Sequence, residues 1–188
     1  IRVVMPFGAG GSMDVLSRLL APIVSESLGQ SIVVENRPGA TGTLAMAAVA
    51  AAPADGYTLM FTGSSYATVP LLMRNLPFTM DAFTPLSRLT IGPTMMCVPG
   101  QLGVKTMAEF VAAAKAQPGK WSYGSPGIGT SIHLGSELFK MAAGVDMSHV
   151  PYRATPAVIA DLLEARLQMA ILGVADVRQY ILSGQVRG

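Results

Sequence analysis

Pro6-Phe7-Gly8-Ala9-Gly10-Gly11-Ser12-Met13-Asp14 stands between an apolar strand, Val3-Val4-Met5, and a segment whose apolar residues Leu16, Leu19, Leu20, Ile23 and Val24 recur at helical spacing. Strand, glycine-rich turn, helix: that order sets bare backbone N–H groups at a helix N-terminus. Such groups lack an intrahelical partner and sit at the positive end of the helix dipole. A carboxylate or a phosphate suits them. Glycine there permits turns at positive φ and close approach of a ligand. Ser12 offers a hydroxyl donor or a helix cap. A tight βα turn with no ligand is the competing reading, because such turns are common punctuation. Nucleotide motifs do not fit: Met13 stands where the third glycine of G-x-G-x-x-G would fall, and no Gly-Lys-Ser/Thr follows.

Working outward, the 188 residues allow one large domain or two small ones. Hydrophobic residues make up 51% and charged residues 13%, which supports a sizeable core and excludes a disordered chain. Mean hydropathy is high at +0.46, yet no apolar run approaches the length of a membrane span. The longest, Leu44 to Ala52, is alanine-rich and stops at Pro53, as a buried helix would. The net charge of +2 is spread without basic blocks, so nucleic acid is not implied. Cys97 is the only cysteine, which rules out an intrachain disulfide. The chain opens on Ile1 inside a strand, so any signal peptide is expected upstream of it.

In order, a helix is expected over 12–28, with an Asp14–Arg18 ion pair at i, i+4, a kink or change of helix at Pro22, and Gly29 as its stop. Strands are expected at 31–35 and 57–61, with a small-residue helix between them opened by Thr41-Gly42-Thr43. Thr62-Gly63-Ser64-Ser65 is a second hydroxyl-rich strand-to-helix junction. Residues 86–89 and 94–98 read as strands around Gly92-Pro93. Thr106-Met107-Ala108-Glu109 is a capping box. Strands follow at 121–124, 148–152 and 167–172, and helices start at Thr155-Pro156 and Ala175. Ser125-Pro126-Gly127-Ile128-Gly129-Thr130-Ser131-Ile132-His133 is another glycine-rich loop opening a helix. The alternation predicts an α/β fold with mainly parallel sheets. Ligands of such sheets bind at the carboxyl ends of strands, and two such loops facing each other would make a cleft. Two plain turns remain the alternative.

These motifs together resemble the Bug-type solute receptors of tripartite tricarboxylate transporters. The matching residues are Pro6-Phe7-x-x-Gly10-Gly11-x-x-Asp14-x-x-x-Arg18, Val33-Val34-Glu35-Asn36-Arg37-Pro38-Gly39-Ala40 and Asp55-Gly56-Tyr57-Thr58-Leu59. In the second half they are Tyr123-Gly124-Ser125-x-Gly127-x-Gly129-Thr130-Ser131-x-His133-Leu134, Val150-Pro151-Tyr152-Arg153 and Asp161-Leu162-Leu163. The resemblance implies a two-lobed, type II periplasmic-binding-protein-like α/β fold, each lobe a mainly parallel sheet flanked by helices. Lobe one is expected over 1–98, lobe two over 99–185, and the start of a return crossing over 186–188. The family chain continues further and returns to lobe one, so that lobe is expected to be incomplete here. Thr41 and Ala154 stand where the family usually has glycine.

By the same resemblance, the ligand is a small carboxylate, a di- or tricarboxylate or related organic acid, held in an interlobe cleft in the periplasm. Main-chain N–H groups, hydroxyls and bridging water are implied as its contacts. They carry over onto Phe7, Gly8, Ala9, Gly10, Gly11, Ser12 and Asp14 in lobe one, and onto Gly127, Gly129, Thr130, Ser131 and His133 in lobe two. Ser64, Ser65 and Asp176 are implied to line the same mouth. Integral membrane subunits of the transporter are the implied partners, with no cofactor, metal or catalytic residue, no nucleic acid and no direct membrane insertion. An α/β enzyme acting on a small anionic metabolite is the alternative, and it would require a titratable group within reach of the ligand. A regulator's effector lobe would require a helix-turn-helix, which these residues lack. Asp14 reads either as a first-turn stabiliser or as a ligand contact, and His133 either as structural or as a contact. His149 and Cys97 read as structural.

Overall fold

Alternating strand and helix run the length of the chain, and the computed structural model describes every residue, Ile1–Gly188. It divides into two units, Ile1–Ile91 and Gly92–Gly188. In the first, β1 (Arg2–Met5), β2 (Val33–Asn36) and β3 (Thr58–Met60) form a parallel sheet in the order β2-β1-β3. The helices are α1 (Ser12–Leu28), α2 (Thr43–Ala50) and α3 (Ser65–Leu72). Because all three strands run the same way, the loops after Met5, Asn36 and Met60 leave one edge of the sheet. Its buried apolar side chains are Val4, Met5, Pro6, Ala45, Met46 and Val69.

α1 covers the expected span and ends at Gly29 in the left-handed region, φ 62°. Pro22 does not interrupt it. Pro22 and Arg18, whose carbonyl loses its i+4 donor, both lie on the exposed side, where water can take that carbonyl. Thr41 has φ 58° and Ala40 φ 45°, so the usual glycine at position 41 answers to a left-handed backbone that Thr41 must adopt with a β-branched side chain.

In the second unit, β4 (Thr94–Pro99), β5 (Trp121–Ser125), β6 (Met147–Pro151), β7 (Met169–Gly173) and β8 (Val186–Arg187) form one sheet, in the order β6-β5-β7-β4-β8. β5 pairs parallel with β6 and β7, whereas β4 pairs antiparallel with β7 and β8. The expected mainly parallel sheet is therefore mixed here. The helices are α4 (Met107–Lys115), α5 (Ser131–Ala143), α6 (Thr155–Leu163) and α7 (Val174–Leu182).

Two apolar clusters form, one gathering Phe110, Trp121, Tyr123, Met147 and Met169 and the other Cys97, Val158, Leu162, Leu167, Ala170 and Leu172. Neighbouring strand residues divide between the clusters, as the two-residue period of a sheet buried on both faces requires. Gly124 points at the second cluster with no room for a side chain: a Cβ there would lie 2.5 Å from Leu167 Cδ1 and 2.8 Å from Val158 Cγ1. Cys97 is fully buried, and burial pushes its thiol up to about 11, as expected of a packed thiol.

Three expectations need correction. The boundary at residue 98 moves to 91/92, because β4 is hydrogen-bonded into the second sheet, and β8 closes that same sheet through Val98↔Arg187 and Pro99↔Val186. The strand expected over Leu86–Leu89 is not formed. Both leucines are exposed and no strand pairs with them. At α6 the N-cap is Ala154 rather than Thr155, and its extended φ of −157° needs no glycine. By contrast, Thr106 caps α4 as read, its hydroxyl accepting from the Glu109 N–H at 3.1 Å, while Glu109 reaches back one residue further and accepts from the Lys105 N–H at 2.6 Å. No helix is long and apolar enough to cross a membrane.

Candidate functional site

Each unit carries a glycine loop at the carboxyl end of an inner strand. In the first unit, Phe7 to Gly11 link β1 to α1, Gly11 is the N-cap and Ser12 the first helical residue. Ser12 is thus not the cap. Asp14, in the first turn and nearly buried, reaches back to accept from the Gly10 N–H at 3.0 Å. Its carboxylate also accepts from Arg18 Nε at 3.1 and 3.2 Å and from Asn36 Nδ2 at 2.9 Å. Asn36 Nδ2 donates as well to the Phe7 carbonyl at 3.1 Å, and Arg18 Nη2 donates to Asn36 Oδ1 at 2.8 Å. Burial opposes ionisation of Asp14. The bonds from Arg18, Gly10 and Asn36, with the Arg18 charge, outweigh it and hold the carboxyl below its usual range. Asp14 thus braces the loop, with both oxygens committed inside it.

The second junction, after β3, holds two hydroxyls, Thr62 Oγ1 and Ser65 Oγ, that are buried and make no hydrogen bond. Ser64 and Ser65 open α3, and β3 lies directly beside β1, so this junction and the Phe7–Gly11 loop share one sheet edge. Buried hydroxyls are ordinarily bonded to protein, water or ligand, so this pair fits an incoming acceptor.

In the second unit, Gly127 (φ 149°) and Gly129 (φ 87°) shape the loop from β5 to α5. Thr130 is the N-cap, and its hydroxyl accepts from the His133 N–H at 3.2 Å and donates to the Gly127 carbonyl at 2.8 Å. Ser125 Oγ accepts from the Gly127 N–H at 3.2 Å and lies 2.7 Å from His149 Nε2. The Gly129 N–H donates to His133 Nδ1 at 3.3 Å. Ser131 is exposed at the start of α5. Asp176 lies in the first turn of α7, after β7. Since β5 and β7 are parallel neighbours, Asp176 and the Gly127–His133 loop leave the same sheet edge.

Four N–H groups at residues implied as ligand contacts are engaged by protein: Gly10 donates to Asp14, Gly127 to Ser125 Oγ, Gly129 to His133 Nδ1 and Thr130 to the Gly127 carbonyl at 3.4 Å. These bonds give the loops their shape. Sequence reasoning missed Asn36, Ser125 and Tyr123. Asn36 and Ser125 stand inside quoted motifs, but their partners come from other elements. Tyr152 and Asp161, from two separate motifs, meet directly: the phenol donates to Asp161 Oδ2 at 2.5 Å, and Arg166 pairs with Asp161 at 2.9 Å.

Parallel inner strands with hydroxyl- and glycine-rich loops at their carboxyl ends define an α/β solute-binding fold. The backbone follows known periplasmic binding proteins over its whole length. It matches "R. palustris Rpa4515 with adipate" with a TM-score of 0.93 at 34% identity, covering 100% of this chain and 63% of that one. It matches "MatC (Rpa3494) from Rhodopseudomonas palustris with bound malate" with a TM-score of 0.89 at 28% identity, covering 100% of this chain and 64% of that one. Residues 16–188 match the family described as "Tripartite tricarboxylate transporter family receptor", and the chain belongs to that family. Among curated relatives, the protein BugT of Bordetella pertussis is 33% identical over 193 residues, covering all of this chain and 58% of the relative. The UPF0065 protein in the tcbD-tcbE intergenic region of Pseudomonas sp. (strain P51) is 36% identical over 188 residues, covering all of this chain and 56% of the relative. The chain thus spans a little over half the length of these curated relatives.

Proposed function

We propose that this chain is the greater part of a periplasmic receptor that captures a small di- or tricarboxylate and delivers it to the membrane subunits of a tripartite tricarboxylate transporter. In this reading the Phe7–Ser12 loop, with Ser64 and Ser65, supplies ligand contacts from the first unit, and the Gly127–His133 loop, with Asp176, supplies them from the second. The observation that carries the reading is the correspondence of the whole of this chain with 63% of a protein solved with adipate, supported by malate in a second relative. The two buried hydroxyls without partners, Thr62 Oγ1 and Ser65 Oγ, add a local reason, because a carboxylate oxygen would accept from them.

Two measurements test this. Mass spectrometry of small molecules released on denaturing the purified protein should return an organic acid. Calorimetry with adipate and malate should show binding, weakened about ten-fold by Ser131→Ala if that hydroxyl donates to the ligand. Failure of every dicarboxylate of this size to bind would overturn the reading. Unchanged affinity in Ser131→Ala would remove that residue alone.

A further inference from the structure

Beneath the second glycine loop lies a cluster of aromatic and titratable side chains. Tyr123, fully buried on β5, stacks on the His149 ring of β6 with centroids 4.9 Å apart and planes at 24°. The His133 ring of α5 lies 4.5 Å from that of His149 and 6.4 Å from that of Tyr123. The Tyr123 hydroxyl donates to Glu137, Lys140 Nζ pairs with Glu137 Oε1 at 2.9 Å, and the same ammonium lies 5.4 Å from the centre of the Tyr123 ring. Glu137 and Lys140 of α5, Tyr123 of β5 and the other imidazole are the titratable and charged groups that face each histidine.

Both histidines end on the loop. His133 Nδ1 accepts from the Gly129 N–H, which requires that nitrogen to be unprotonated and puts the proton of the neutral ring on Nε2. His149 Nε2 meets Ser125 Oγ, which in turn accepts from the Gly127 N–H. An imidazole therefore helps to hold each of the two glycines whose φ angles shape the loop, Gly129 directly and Gly127 through Ser125, alongside the Thr130 hydroxyl on the Gly127 carbonyl. We propose that His133 and His149 are positioning residues that hold the loop in its ligand-ready shape while neutral, and that a proton taken up by His133 breaks its bond from the Gly129 N–H and weakens binding. This rests on reading the loop as a carboxylate site.

The electrostatics agree in direction. Burial lowers both imidazoles, His149 down to about 4, and the other ring opposes its protonation further. Burial also lowers His133, Glu137 favours its charged form and Lys140 disfavours it. Glu137 is already committed to Tyr123 and Lys140. His133 therefore takes the first proton, and it then turns an N–H toward the Gly129 N–H that it used to accept. The sign separates this device from a direct ion pair. A cationic histidine touching the ligand would tighten carboxylate binding as the pH falls, whereas loss of the Gly129 bond loosens it.

The test uses the full chain between about pH 8 and about pH 5. Long-range 1H–15N spectra should show His133 as the Nε2–H tautomer at the upper end, and the Gly129 amide resonance should move with the His133 titration. Adipate affinity by calorimetry should fall in step with the His133 titration, and by more than protonation of adipate itself accounts for, which the His133→Phe profile measures. His133→Phe should weaken binding about ten-fold at the upper pH and flatten the profile to that adipate component. His133→Asn sets an acceptor near the Nδ1 position without a titrating ring, so it should recover part of that loss and keep the flattened profile. A Gly129 amide that ignores His133, or adipate binding that tightens on acidification, overturns the proposal. A Gly129 amide that follows His133 while neither adipate nor malate binds at any pH upholds the clamp and overturns the carboxylate reading instead.

Discussion

Asp14 shows how one carboxylate organises a loop. It gathers Gly10, Arg18 and Asn36, three residues of the quoted motifs, into one network. The Arg18 contact was legible because i, i+4 spacing is local. The Asn36 contact was not, because it depends on β2 pairing beside β1. The folded carboxyl lies below its ordinary value of 3.8, so its contribution to stability is complete above that pH and is lost as the pH falls through the lower folded value. Acid titration followed by circular dichroism should show the first unit weakening in that window, and Asp14→Asn should abolish this component. Thr41 carries a second message. A β-branched residue at φ 58° is strained, so Thr41→Gly should raise stability by about 0.5–1 kcal/mol in urea denaturation, less than the full strain because glycine also frees the unfolded chain.

At the scale of elements, helices and their ends were the most readable parts. α1 keeps its expected span and its Gly29 stop, and α4 its Thr106 cap, because both are written in the local sequence. Pairing of strands was less so. Nothing within 94–99 says that this strand runs antiparallel between β7 and β8, because that depends on partners more than seventy residues away in the chain. Residues 86–89 failed as a strand for the converse reason: propensity without a ladder partner leaves no strand. Gly124 was quoted as part of a motif, but its cause emerges only from the packing of β5 against α6. Gly124→Ala would drive a methyl into Leu167 and Val158, so it should cost about 1–3 kcal/mol of the second unit's stability in a denaturant titration.

Over the whole molecule the two units differ in how well they are filled. Both large apolar clusters lie in the second unit, whereas the first buries Val4, Met5, Pro6, Ala45, Met46 and Val69 among its apolar side chains. Val15, Leu19 and Ile23 form an exposed apolar stripe at i, i+4, i+8 along α1, and the sheet beneath has three strands with both edges open. Calorimetry of these 188 residues should therefore resolve two transitions, the first unit melting first. Hydrogen exchange should run faster in β1–β3 than in β5 and β7. A single cooperative transition would contradict this imbalance. The alternating architecture and both glycine loops were legible because they repeat a local grammar. The inward-turned N–H groups were not, because which way an amide points depends on neighbours brought in by tertiary structure.

The pairing of β4 with β8 has one further consequence. Val186 and Arg187 lie beside Pro99 and Val98, more than eighty positions earlier in the chain, so this short ladder closes a loop that takes in almost the whole second sheet. Closing a loop that long costs entropy that only the finished sheet returns, so this edge belongs to the late steps of folding.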